Sequence, residues 1–372
     1  MKITLVCHKY GVSIADPCIY PLGFMYISAG LKKLGHEVNV LNYNLWDYDF
    51  KEEIKGQDAV LFTGFEEFLP SIKRDAAICR EMGIKTVLGG ALATFRTKEM
   101  AEIVDTVVVG EGDDVLPETL SPSSSVLWGR KPHLPDLPWP DYDGFGIGEY
   151  HRRHSTRYMG VIASRGCPYS CSFCSQTCRY QERDLGDVFS EIDAYRASYG
   201  LEVLIVNDNT LNVRKERFLA FCAGMKGRGL AWSAAIRTDR FDEEMARAAK
   251  DSGVNYFVVG VESFSQDRLD RMGKRSTVTD NLRTLDLLTK YRIPYHGNIL
   301  LGFDWDAPGA ISRELSSIPR GYNVFPCLLQ PFIGIKAKPG VFGEERDLWS
   351  KRFREYAEGR GMTVYREAEM NA

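Results

Sequence analysis

The sequence has no long hydrophobic run, no excess of either charge and no paired cysteine framework. No stretch approaches the roughly 18 uninterrupted apolar residues that a membrane-spanning helix needs. The apolar start, Ile3 to Val6, is too short for a secretory signal, so the expected compartment is the cytoplasm and no membrane partner is expected. Lys plus Arg number 47 against 50 Asp plus Glu, a net charge of -3, and nothing in that balance calls for nucleic acid or an anionic surface. The nine cysteines are odd in number and unevenly placed, which excludes the usual disulfide scaffold of a secreted protein. With 44% hydrophobic residues and so little charge imbalance, an extended disordered chain is excluded too.

What is present is enough chain for two domains: 372 residues exceed one ordinary core and exclude a minimal binding module. Short apolar runs at 3–6, 37–41, 59–63, 85–88 and 106–109 alternate with amphipathic stretches such as 23–34 and 71–82, which end at Gly35 and Gly83. This predicts a five-stranded, Rossmann-like doubly wound α/β domain over 1–125. Its later strands run into turns at Gly64, Gly89-Gly90 and Gly110-Glu111-Gly112, at the strand ends where such sheets bind ligands. Residues 126–150 are proline-rich and read as a semi-rigid linker. A second alternation fills 151–335, with strands at 158–163, 203–206, 231–236, 256–259, 296–301 and 324–330 and helices at 184–199, 215–228, 242–252 and 278–291. Six β/α repeats are too few for a closed eight-unit barrel and enough for a partial (β/α)6 barrel. Residues 336–372 are charged and read as a short C-terminal helical tail.

Four of the nine cysteines fall within twelve residues, at 167, 171, 174 and 178. The first three have the spacing C-x3-C-x-aromatic-C, on a loop directly after the first strand of the second series. Three thiolates on so short a loop suit three irons of a cubane and leave the fourth iron without a protein ligand. A structural zinc site with Cys178 as fourth ligand is the alternative, but zinc loops commonly pair C-x2-C motifs and the chain has no second pair.

This loop resembles the cluster loop of the radical S-adenosylmethionine (SAM) superfamily. Val206-Asn207-Asp208-Asn209-Thr210, Ile236-Arg237-Thr238-Asp239, Gly260-Val261-Glu262-Ser263, Met272-Gly273-Lys274 and Leu300-Leu301-Gly302-Phe303 narrow the resemblance to its cobalamin-binding branch. Pro21-Leu22-Gly23, Gly35-His36-Glu37-Val38, Gly89-Gly90-x3-Thr94, Gly110-Glu111-Gly112 and Leu137-Pro138-Trp139-Pro140-Asp141 are similar to that branch as well, so the likeness runs over roughly residues 1–335.

The resemblance implies a [4Fe-4S] cluster on Cys167, Cys171 and Cys174, with SAM chelating the open iron. It implies that Asp208 or its neighbour Asn207 meets the methionyl end of SAM, and that Arg237, Glu262 and Ser263 hold its carboxylate or ribose. A guanidinium fork suits a carboxylate, and a carboxylate suits ribose hydroxyls or an amine. Gly64, Gly89, Gly90, Thr94, Gly110, Glu111 and Gly112 are then expected to receive cobalamin. His296, with Tyr295 and Tyr322, is the expected substrate contact or proton carrier. The implied activity is methylation of an unactivated carbon, with a radical cyclase or rearrangement enzyme, or a non-catalytic cobalamin-binding protein, as alternatives. The electron donor implied is a flavodoxin or ferredoxin.

The chain also departs from the pattern. The usual Gly-Gly-Glu after the second barrel strand is Asn207-Asp208-Asn209, and no Asp-x-His-x2-Gly places a histidine on cobalt. Tyr10, Cys18 and Tyr20 are the first-loop candidates for approaching the metal. Gly302-Phe303-Asp304-Trp305-Asp306 replaces the commoner Gly-Leu-Pro-Gly-Glu turn, which leaves open whether the substrate is a small metabolite or a peptide or protein side chain.

Overall fold

Runs rich in Val, Ile and Leu set six parallel strands in the first part of the chain: β1 Lys2–Cys7, β2 Glu37–Asn42, β3 Ala59–Thr63, β4 Lys85–Gly89, β5 Thr106–Val109 and β6 Ser125–Trp128. These come from a computed structural model, which describes residues 1–9, 21–121, 123, 125–130, 133–153, 156–176, 178–306, 310–319 and 321–328. The chain divides into two units between Arg157 and Tyr158. Tyr10, Cys18, Tyr20 and the expected C-terminal tail lie outside the described residues.

The sheet of the first unit has the order β2-β1-β3-β4-β5-β6, with every neighbour parallel. Its central strands are apolar along their whole length because both faces are covered; Ile3, Leu5, Val60 and Leu88 are fully buried. Strand order reverses between β1 and β3, the switch point beyond which a doubly wound sheet binds its ligand.

Two expectations are corrected here. The sheet has six strands and not five, because residues 125–128, read as the end of the first domain and the start of the linker, pair in parallel with β5. The proline-rich segment is also part of the first unit. Tyr142, Phe145 and Ile147 are buried, the Asn42 amide donates to the Phe145 carbonyl at 3.0 Å, and Ser28 donates to Asp141 at 2.5 Å. The segment therefore packs as a strap on the unit's own core.

The second unit contains β7 Tyr158–Val161, β8 Ser164–Arg165, β9 Gln181–Glu182, β10 Val203–Val206, β11 Ala231–Arg237, β12 Val254–Glu262, β13 Tyr295–Leu301 and β14 Val324–Leu328. Six of these form a parallel sheet in chain order, β7-β10-β11-β12-β13-β14, while β8 and β9 form a separate antiparallel ribbon. The four longest connecting helices are Leu185–Tyr199, Lys215–Met225, Glu243–Asp251 and Val278–Lys290. Their ends are chemically marked. Asp184 caps the first, which stops at Gly200 with φ of 65°, and Thr277 and Asp280 form a reciprocal capping box on the last.

Along β11, β12 and β13 burial alternates. Trp232, Phe257, Val259 and Ile299 are fully covered, and Trp232 and Phe257 meet Phe218 and Phe221 of helix Lys215–Met225 in edge and tilted ring contacts 5.3–6.4 Å between centroids. The residues between them, Ser233, Ala235, Tyr256, Val258, His296 and Asn298, are only half-buried. Helices therefore cover one face of the sheet, and the opposite face is the wall of the expected open six-repeat barrel.

Candidate cluster and cofactor site

The three-cysteine loop is tied off at its base. Ribbon strands β8 and β9 pair Ser164 with Glu182 and Arg165 with Gln181 on either side of it. Inside that ribbon the Cys167 N–H donates to the Cys178 carbonyl at 3.4 Å. Gly166 makes the closure possible: its φ is 80°, and a Cβ there would lie 2.5 Å from the carbonyl oxygens of Cys178 and Arg179. Cys178 thus contributes its backbone to the neck of the loop.

Cys167, Cys171 and Cys174 are half-buried to exposed, and none of the eight described cysteines is in a disulfide. Burial pushes the Cys174 thiol up, the Gln176 N–H at 3.5 Å pulls it down, and the charges of Cys171 and Cys167 push it up again. Among the described residues no three His, Cys, Asp or Glu side chains converge as they would on one ion. A cubane takes one thiolate per iron, and three thiols spread along one loop suit it, since metal binding deprotonates each of them.

The strand ends of β10, β11 and β12 surround this loop. Asp208, expected to meet SAM, is buried and accepts from the Ala163 N–H at 2.7 Å and the Ser164 hydroxyl at 2.6 Å. It holds the chain as it enters the loop. Its neighbours are at the surface: Asn207 is exposed, and Asn209 accepts from Gln176 of the loop at 2.8 Å. Asn212, which sequence reasoning missed, accepts from the Arg237 N–H at 2.9 Å and donates to its carbonyl at 2.8 Å. The polar segment in place of Gly-Gly-Glu is a hub that fixes the loop and the end of β11 together.

Burial also raises the Asp208 carboxyl, to about 6, with the bonds from Ser164 and Ala163 working against the rise. A native pKa above the unfolded one means that the folded chain binds the extra proton between about pH 4 and 6. Stability contributed by this group is full below that window and falls as pH rises through it, by on the order of 2–3 kcal/mol. Chemical denaturation of wild type and Asp208→Asn across pH 4–7 checks this: the fall in wild type over that window is expected to flatten in the variant.

Arg237 is expected from sequence to hold the SAM carboxylate; its guanidinium is almost fully buried, with each of its three nitrogens bonded within the protein. It donates to Asp239 at 2.9 Å, to the Lys274 carbonyl at 2.5 Å and to the Cys171 sulfur at 3.8 Å, and it stacks over Tyr169 at 3.8 Å. Burial opposes its charge, but Asp239, Cys171 and Tyr169 outweigh that and hold it above its ordinary value. Glu262 accepts from Lys274 at 2.8 Å, with both side chains buried. It stands at φ of 64° where the β12–β13 register shifts, and the absent side chain of Gly260 leaves room for the pair. Lys274 also lies 5.9 Å above the Phe173 ring, and Met272 accepts from the Ser172 N–H at 2.9 Å, so this segment docks on the loop. Ser263 is turned away: it is fully buried and donates to Glu314 at 2.7 Å.

The paired expectation for His296 and Tyr295 divides by strand parity. His296 is on the half-buried wall, 2.7 Å from the Tyr256 hydroxyl, and burial lowers its pKa against the opposing bond to Asn298. Tyr295 is on the helix-covered face with its hydroxyl 3.4 Å from the Asn323 N–H, and Tyr322 donates to Asp286 at 2.5 Å. Neither tyrosine joins the site.

In the first unit, Phe65 follows β3 with half its surface exposed, and Gly89 at the end of β4 has open space where a Cβ would be. An exposed aromatic and an unfilled backbone edge beside the switch point fit a flat macrocycle. The other glycines serve the turns themselves. Gly64 makes room for Phe68, Gly90 has φ of 83° against Thr63, and Gly112 packs on Val108. Thr94 ties two turns together, donating to the Gly90 carbonyl at 2.8 Å and accepting from Gly110 at 3.0 Å. Glu111 is half-buried in that second turn.

Residues 161–307 match the Radical SAM superfamily and residues 11–120 match the B12 binding domain. The chain is a cobalamin-dependent radical SAM protein. An uncharacterised methyltransferase of Pyrococcus horikoshii is 25% identical over 76% of this chain and 69% of its own. An anaerobic magnesium-protoporphyrin IX monomethyl ester cyclase of Cereibacter sphaeroides is 26% identical over 80% of this chain and 56% of its own. The chain thus spans between about half and about two thirds of these relatives. The fold is shared with the radical SAM methyltransferase TsrM of Kitasatospora setae, solved with cobalamin and a [4Fe-4S] cluster, at a TM-score of 0.71, 18% identity and 90% and 76% coverage of the two chains. The cofactors of this radical SAM protein follow from its two domains: an iron–sulfur cluster with SAM in the second and cobalamin in the first. Among its described residues no helix is long and apolar enough to cross a membrane.

Proposed function

We propose that this protein is a cytoplasmic methyltransferase that places a methyl group on an unactivated carbon, using an electron from a flavodoxin- or ferredoxin-class donor. When bound, the cluster and SAM supply a 5′-deoxyadenosyl radical and cobalamin supplies the methyl group. The observation that carries the reading is the loop of Cys167, Cys171 and Cys174, closed by its own ribbon and held by Asp208, Arg237 and Lys274. The loop presents three thiols to three irons and leaves the fourth iron to SAM. In this reading Asn207, which is exposed, and the Glu262–Lys274 pair receive the polar parts of SAM.

On the half-buried wall of the second unit, His296 is the proposed catalytic residue. Its lowered pKa keeps it neutral near pH 7, ready to take a proton from a substrate group next to the reacting carbon. Tyr256 and Asn298 fix the ring orientation.

A second reading, radical ring formation without methyl transfer, is favoured by the cyclase among the relatives. Product mass separates the two. A gain of one methylene per turnover supports methyl transfer, whereas 5′-deoxyadenosine release with a product no heavier than its substrate supports the cyclase.

A further inference from the structure

Arg237 is placed to act on the cluster itself. Its carrier strand β11 ends beside the cysteine loop, and Asn212 grips both its N–H and its carbonyl, so the backbone has one position. The side chain is then fixed at three further points, Asp239, the Lys274 carbonyl and the Tyr169 ring, and its remaining terminal nitrogen points at the Cys171 sulfur at 3.8 Å. Each of its three nitrogens already has one partner, so the fork is held in place before any SAM carboxylate arrives. With only 5% of its surface exposed, it keeps its charge where water does not screen it.

We propose that Arg237 tunes the reduction potential of the cluster by donating to the Cys171 thiolate. This rests on the cluster assignment above. Three thiolates give the site a net negative charge that one-electron reduction increases. A buried cation and a hydrogen bond on one of those sulfurs stabilise the more negative, reduced state more than the oxidised one, and so raise the potential. Asp239 aims the fork, and with Arg240 3.7 Å away on its other oxygen the three charges sum to one positive charge beside Cys171.

The test is a redox titration of the anaerobically reconstituted full-length protein without SAM, followed by electron paramagnetic resonance of the reduced cluster. At the wild-type midpoint, Arg237→Met is expected to lower the ratio of reduced to oxidised cluster about tenfold, equivalent to about 59 mV for one electron. Arg237→Lys keeps a charge but loses the fork, and its fall is expected to be smaller. Arg228→Met, which removes an arginine paired with Asp193 and no contact of the loop, is expected to leave the ratio within about twofold of wild type. If Arg237→Met holds its iron and keeps the wild-type midpoint, the proposal is overturned. If in addition it binds SAM more weakly, Arg237 is a carboxylate anchor as its sequence position implies. If Arg237→Met fails to fold, the lysine variant decides, since an unchanged midpoint there with Asp239→Asn also unchanged overturns the proposal. Wild-type protein that takes up no cluster overturns the cluster reading as well.

Discussion

Alanine at Cys167, Cys171 or Cys174 is expected to abolish both cluster assembly and SAM cleavage, while Cys178→Ala leaves both in place. In this reading each of the first three sulfurs is the protein ligand of one iron. Cys178 closes that neck through its carbonyl, which alanine retains. Substitutions that merely support a metal ligand commonly cost 10–100-fold, so loss of a ligand should exceed about 100-fold in 5′-deoxyadenosine formation. Iron and sulfide per chain after anaerobic reconstitution provide the check. A Cys174→Ala chain that keeps its iron, or a Cys178→Ala chain that loses it, would assign the ligands differently.

The second large effect concerns the buried pair of Glu262 and Lys274. Lys274→Met leaves a carboxylate in a water-poor strand end with its counter-charge gone, a change that typically costs about 3–5 kcal/mol. The double variant Glu262→Gln with Lys274→Met removes the stranded charge and is expected to recover most of that loss, because the pair's attraction largely offsets its own desolvation. Denaturant midpoints of the two single variants and the double variant test this as a cycle. Single losses below about 1 kcal/mol, or a double variant as unstable as the sum of the singles, would mean that the pair is solvated and does not clamp the loop.

Much of this was legible in the sequence, and the boundary has a physical reason. Strands such as β3, β5 and β10 are apolar along their length, so periodicity and glycine punctuation alone located them. The cysteine spacing was legible because one short loop must supply all three ligands. The ribbon of β8 and β9 was not, since two residues carry no period. Partner choice was hidden for the same kind of reason. Asp208 meets Ser164, Arg237 meets Cys171 and Ser263 meets Glu314 across long stretches of chain, and only the assembled sheet brings them together. Residue type marked Arg237 and Asp208 as groups for SAM, and in the structure both hold the loop and its entry. His296 and Tyr295 are adjacent in sequence and belong to opposite faces of β13, a difference of one residue in register that decides which of them stands on the barrel wall.

The account's central claim is that a single chain carries a three-cysteine cubane in its second unit and cobalamin in its first. The direct measurement is metal, sulfide and corrinoid analysis of the full-length protein, reconstituted anaerobically with iron, sulfide and cobalamin and then desalted. About four irons, about four sulfides and about one corrinoid per chain are predicted. Zinc in place of iron on the cysteines, or a chain that emerges with its cluster but free of corrinoid, would contradict it.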